Sequence, residues 1–325
     1  MTISKTGGDG SAPLPTTSAD SPLFGMAIAV FAFLALSCMT LFAKILSDRY
    51  HVVEIAFLRN IIALLPFAVM LAFPSQRGML RIRSRPGTIA IRALIGTANV
   101  VMVFGAFSLL PMANATSILF ASALFTPVLG VIFLGETVGP YRATAVIVGF
   151  IGVVIVAQPG GGAGDWNLLG MTFALGGAFV AATLGVMLRL LGQSEAPQTV
   201  TFYFLFLGAL MVAPIVPFVW RTPVWADAPY ILGLGMSGFL MQMSLTLAFK
   251  YAPASVIAPL TYTQIIWATL FGWMVFSDVP ALNIIVGAAI IISSSLIVIM
   301  RERYLARQGR LKRQAVDETM PPKTM

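Results

Sequence analysis

The chain has 325 residues, 58% of them hydrophobic and only 10% charged, with a formal net charge of +8 and a mean hydropathy of +0.91. Soluble domains run near half apolar and about a quarter charged, so water is excluded as the main solvent for most of this sequence. The basic excess sits in clusters abutting apolar runs rather than on a soluble domain, which argues for membrane topology and against a nucleic-acid partner.

Residues 1–22, rich in Ser, Pro, Thr and Gly, read as a disordered tail. A hydrocarbon core about 30 Å thick needs roughly 20 apolar residues per helical span. The first apolar run, 24–46, is too long for a signal-peptide core, has no basic flank and no small-residue cleavage site, so it is expected to remain as helix 1. Further spans are predicted near 54–73, 88–109, 112–134, 140–157, 168–191, 199–220, 228–249, 253–276 and 280–300. Runs such as Ala143 to Ala157 and Ile284 to Met300 are apolar on every side, which selects helices over the alternating strands of a membrane barrel. Pro159 to Gly164 resembles a phosphate loop only superficially, because no Gly-Lys-Ser/Thr ending follows. Residues 159–166 therefore read as a linker.

Arg77, Arg81, Arg83 and Arg85 crowd the loop after helix 2, and Arg301, Arg303, Arg307, Arg310, Lys312 and Arg313 follow helix 10. Positive loops stay cytoplasmic, and ten spans put both clusters, and both termini, on that side. Residues 301–325 form a basic cytoplasmic tail on this reading. The expected location is a bacterial inner membrane, with lipids and a small-molecule substrate as the partners.

The chain also repeats itself. Leu23-Phe24-Gly25-Met26 opening helix 1 matches Leu168-Leu169-Gly170-Met171 opening helix 6, and Pro111 before helix 4 matches Pro253 before helix 9. Gly130 and Glu136 then fall opposite Gly272 and Asp278. The predicted fold is an all-α membrane protein of ten transmembrane helices in two five-helix repeats, residues 23–158 and 167–300. Five is odd, so the second copy enters the membrane from the opposite side. Two oppositely oriented halves can exchange conformations and open one central site to each side in turn, an architecture found in secondary carriers.

Lys44 ending helix 1, Glu54 and Arg59 in helix 2, Pro111 before helix 4 and Leu134-Gly135-Glu136 after it make the chain resemble the EamA family of the drug/metabolite transporter superfamily. The resemblance covers roughly residues 24–300; in the second half the Gly-Glu turn is replaced by Ser277-Asp278. It implies secondary transport of a metabolite through a cavity formed by helices 1, 3, 4, 6, 8 and 9. Members that look like this chain include amino-acid exporters, S-adenosylmethionine uptake carriers and riboflavin transporters.

Helix 9 carries the densest polar and aromatic sequence, Tyr262-Thr263-Gln264 followed by Trp267, with Gln264 and Trp267 on one face. An uncharged amide and a flat ring would together suit a heteroaromatic ligand such as riboflavin; packing and interhelical bonding are the structural alternatives. Asn114, Ser117 and Phe120 in helix 4, Asn99 and Phe104 in helix 3 and Gln242 in helix 8 are further cavity candidates. Arg59 is a costly charge inside helix 2. It either gates or anchors an anionic group, or else snorkels outward or pairs with Glu54 or Asp48. Glu54, Arg59 and Lys44 are the candidates for gating or charge pairing.

None of the twelve acidic residues falls at mid-membrane, so the sequence holds no deep carboxylate for a proton relay. No Walker motif supports ATP hydrolysis. The single cysteine, Cys38, excludes an intramolecular disulfide, and with one histidine, His51, no metal site, cofactor or catalytic residue is expected. The competing classes are a membrane-embedded enzyme for lipid-linked substrates, built on His51 beside Asp48 and Glu54, and an assembly subunit packing through Ala145-Gly149 and Ala289-Ser293.

Overall fold

A computed structural model describes residues 22–73, 86–134, 140–157, 167–191, 197–251 and 257–294, with 296, 297, 300 and 304 beyond them. The N-terminal tail, the basic loop at 77–85, Glu136, the 159–166 linker, Pro253 and nearly all of the C-terminal tail lie outside the described residues. Among those described there is no strand. The helices are α1 (Pro22–Ser47), α2 (Val52–Ala72), α3 (Pro86–Leu109), α4 (Met112–Leu119), α5 (Ser122–Leu134), α6 (Pro140–Ala157), α7 (Leu168–Leu191), α8 (Pro197–Val212), the single turn α9 (Val216–Val219), α10 (Ala228–Tyr251), α11 (Thr263–Phe276) and α12 (Leu282–Ser294).

Four segments, Leu23–Ser47, Val52–Ala72, Ile89–Leu109 and Trp225–Ala248, are long and apolar enough to cross a bilayer. Six further apolar helices are shorter, and each expected span falls on one of these segments. The chain enters α2 two residues earlier than expected because His51 acts as its N-cap, its Nδ1 accepting from the Val53 N–H at 3.3 Å.

The expected fourth span is interrupted. Phe120 and Ala121 leave the α-helix, and Ala121 N–H bonds back only three residues, to Ile118 O at 2.9 Å. The expected ninth span is interrupted as well, running as a 3₁₀ turn over Ala258–Tyr262 before α11 begins. Ser117 and Thr263 donate their hydroxyls to the backbone oxygens of Ala113 and Leu260, both at 2.7 Å, the local bonding that bends helices. The sequence offset that aligns Pro111 with Pro253 carries Phe120 onto Tyr262, so the two irregularities occupy one position of the repeat.

The packing follows the same symmetry. Helix α1 packs on α10 and α3 on α7, and these two pairs are repeat equivalents; so are α2 on α10 and α8 on α3. The largest buried apolar cluster joins Phe107, Met112, Ile118 and Leu124 of the first half to Ala174, Ala178, Ala268 and Ile291 of the second, so the core lies on the seam between them. Close approach there needs small residues. A Cβ on Gly235 of α10 would lie 2.3 Å from the Ile62 Cβ of α2, where no side chain fits.

Helix α11 ends at Ser277 with φ 58°, in the left-handed region where the first half's sequence has Gly135. A β-carbon there costs about 1–2 kcal/mol, partly offset by the lower unfolded-state entropy of serine. Ser277→Gly is therefore expected to stabilise the protein by about 0.5–1 kcal/mol, read as a higher unfolding temperature in detergent; a lower one would mean that the hydroxyl has a stabilising contact.

Candidate functional site

Seven of the ten substrate candidates fall on one packed pair, the irregular α4 stretch and α11 with its preceding turn. At its centre the Phe120 and Tyr262 rings meet edge to face, centroids 5.1 Å apart and planes at 81°. A residue touches its own repeat mate only on the axis relating the copies. The two rings therefore sit where the halves meet.

On the helices that carry them, and on one that packs against these, polar atoms are buried without partners. Asn114 Oδ1 on α4 and Trp267 Nε1 on α11 have none, nor do Thr116 Oγ1 and, on the α1 helix that packs against α11, Ser37 Oγ. Gln264 is buried in the same helix. An apolar interior charges roughly 1–3 kcal/mol for each polar group left unbonded, so helices carrying an open donor and open acceptors are equipped for a polar ligand.

The other three candidates lie elsewhere. Asn99 Nδ2 donates to the Gly177 carbonyl at 2.8 Å and ties α3 to α7. Phe104 is fully buried in an apolar cluster with Met39, Ile55 and Leu234. Gln242 is half-buried on α10. Lys44 Nζ donates to the Leu110 carbonyl at 2.6 Å and lies 5.1 Å from the Phe276 ring centre, joining α1, the end of α3 and the end of α11. Glu54 is buried with Oε2 accepting from the Arg221 N–H at 3.2 Å and Oε1 unpartnered. Arg59 does not snorkel and, among the described residues, pairs with no acid: it is 1% exposed, and its Nη1 donates to Asn60 Oδ1 at 2.8 Å.

A second assembly escaped the sequence reading. Where α1 ends and α2 begins, the first half is latched to the segment preceding α10. Arg49 Nη1 reaches both Asp227 carboxylate oxygens at 3.2 and 3.3 Å, and Tyr50 Oη donates to Asp227 Oδ2 at 2.7 Å while accepting from the Val224 N–H. Arg221 Nη1 donates to the Arg49 carbonyl at 3.0 Å. Burial, and the carboxylate to which the phenol donates, push the Tyr50 pKa above its ordinary value, so the hydroxyl stays a donor. Lys44 and this latch close the seam on the same side. His51, the residue on which an enzymatic reading would turn, is engaged as the α2 cap.

The profile of the EamA-like transporter family matches residues 23–158 and again residues 168–300. An S-adenosylmethionine uptake transporter of Rickettsia bellii is 29% identical over 267 residues, 80% of this chain and 88% of that protein. Its Rickettsia conorii counterpart is 28% identical over 287 residues, 86% of this chain and 94% of that one. A riboflavin transporter of Vibrio cholerae is 30% identical over 209 residues, 62% of this chain and 67% of that protein. A crystal structure with 18% identity superposes with a TM-score of 0.60 over 88% of this chain and 99% of its own, which shows a shared fold. With the twice-matched profile spanning both halves, the chain belongs to the EamA-like transporter family, a family of multi-pass membrane proteins.

Proposed function

We propose that this transporter is a secondary carrier working by alternating access, with its substrate site on the seam between two inverted repeats, at the Phe120–Tyr262 pair and the polar groups around it. The two repeats are residues 23–158 and 167–300, with both termini cytoplasmic in a bacterial inner membrane. The observation that carries the reading is the coincidence, at one position of the repeat, of two helix irregularities and an aromatic pair, on helices that also carry buried polar atoms without partners. Irregular helices at a repeat interface are where carriers of this architecture hold substrates. Substrates named for the relatives, S-adenosylmethionine and riboflavin, both join a flat heteroaromatic ring to a hydroxylated sugar-derived group, a ribose in one and an open ribityl chain in the other. That chemistry suits ring edges and faces beside an open indole N–H and amide oxygen. Amino acids are the second substrate class.

The test is uptake by proteoliposomes of the purified chain, using labelled S-adenosylmethionine, riboflavin and tryptophan. Saturable flux of one of these, inhibited by its unlabelled form, is the expected result. Absence of flux for all three would remove this substrate list.

A further inference from the structure

We propose that Arg59 binds the carboxylate of the transported substrate, so that the preferred cargo is a zwitterion bearing an amino-acid group rather than an uncharged ring compound. The proposal rests on the carrier reading above and adds a substrate class to it. Arg59 lies on α2, roughly 10 Å from its start at a rise of about 1.5 Å per residue, inside the apolar span. Its side chain is fully buried. Among the described residues it has no ion pair; its one hydrogen bond is to Asn60 Oδ1, and its Nε has no partner. A guanidinium is charged in every protein environment and takes carboxylates in bidentate geometry, so burying one without an anion is costly.

The surroundings hold the group in place without neutralising it. The Phe204 ring centre of α8 lies 5.5 Å from Cζ, a cation–π contact. Gly238 of α10 packs directly against the guanidinium: a Cβ there would sit 2.9 Å from Nε and 3.5 Å from Nη2, so the missing side chain is what lets α10 close over the group. Thr97 Oγ1 of α3, likewise buried and unpartnered, flanks Gly208 together with the Asn60 amide. The acid on the same helix, Glu54, is five residues away and about 140° round the helix, and it is engaged by Arg221. Arg59, Asn60 and Thr97 belong to the first half, and Phe204, Gly208 and Gly238 to the second. The unpartnered Nε therefore faces the second half across the seam, and the parting of the halves as they rock is what admits a substrate carboxylate to it.

The full chain in nanodiscs is tested with compounds differing only in the carboxylate: S-adenosylmethionine against its decarboxylated analogue, and tryptophan against tryptamine, with riboflavin alongside. The expected result is at least about tenfold tighter binding of the carboxylate member in the native protein, a ratio that falls to about one in Arg59→Gln and is partly kept in Arg59→Lys. Because the ratio is taken within each variant, a loss of total folded protein does not produce it. If Arg59→Gln does not fold, Gly238→Ala, which crowds Nε, is expected to lower the ratio. Equal binding of both members in the native protein, or an unchanged ratio in Arg59→Gln, overturns the proposal. Binding of riboflavin alone overturns it and leaves the carrier reading standing; binding of no compound sinks both.

Discussion

Asp227→Ala is expected to shift the carrier towards the form open on the side where α1 ends, by about tenfold or more. Asp227 is the acceptor on which the latch converges: it is 7% exposed, and both the Tyr50 hydroxyl and the Arg49 guanidinium end on it. The two bonds do not contribute equally. Arg49 is 63% exposed, so its ion pair is screened and contributes no more than about 1 kcal/mol. The Tyr50 bond is buried and has a charged acceptor, worth about 1.5–3 kcal/mol. The expected order of effect is therefore Asp227→Ala first, then Tyr50→Phe, with Arg49→Ala last. A cysteine at Leu234, fully buried in the cluster that includes Tyr50, in a Cys38→Ser background reports the opening through its labelling rate with an impermeant maleimide. A labelling rate unchanged by Asp227→Ala, or Arg49→Ala exceeding Tyr50→Phe, would show that the contact does not hold the gate.

The difference between what could and could not be read from the sequence is physical. Spans were legible because a bilayer imposes a length and an apolar composition on every crossing segment, and the sequence of Leu23 to Ser47 satisfies both without help from its neighbours. The repeat was legible because Pro111 and Pro253 recur at one offset in the sequence, the same offset that sets Gly130 opposite Gly272. The same offset already joined Phe120 to Tyr262 in the sequence, but nothing local distinguishes an on-axis aromatic from the other phenylalanines. The latch had no local signal at all. Arg49 and Asp227 are 178 residues apart, and each alone reads as an ordinary loop charge. Asn99 shows the opposite ambiguity, since an amide deep in a helix is as readily taken up by a neighbouring carbonyl, as its Nδ2 is here, as by a ligand. Arg59 was conspicuous in the sequence, yet only the packing of α8 and α10 excluded an escape to the surface and an acidic partner.

Replacing either ring of the axial pair, Phe120→Ala or Tyr262→Ala, is expected to weaken transport of a heteroaromatic substrate by about tenfold or more, since stacking of one ring on a flat base is worth about 1–3 kcal/mol. Tyr262→Phe keeps the ring face and should cost much less. The position of the pair adds a sharper expectation than the loss itself. On the alternating-access reading, the two end states exchange the conformations of the two halves, so a residue and its repeat mate on the axis keep the same relation in both states. Phe120 and Tyr262 then meet the substrate whichever side is open, and each substitution should raise KM by a similar factor for flux in either direction across right-side-out and inside-out vesicles. Asp227 lies off the axis and closes one face alone, so its substitution should change the two directions unequally. Unequal KM changes for the axial pair, with equal ones for Asp227, would place the axis elsewhere and with it the site, because the symmetry that locates both is the same.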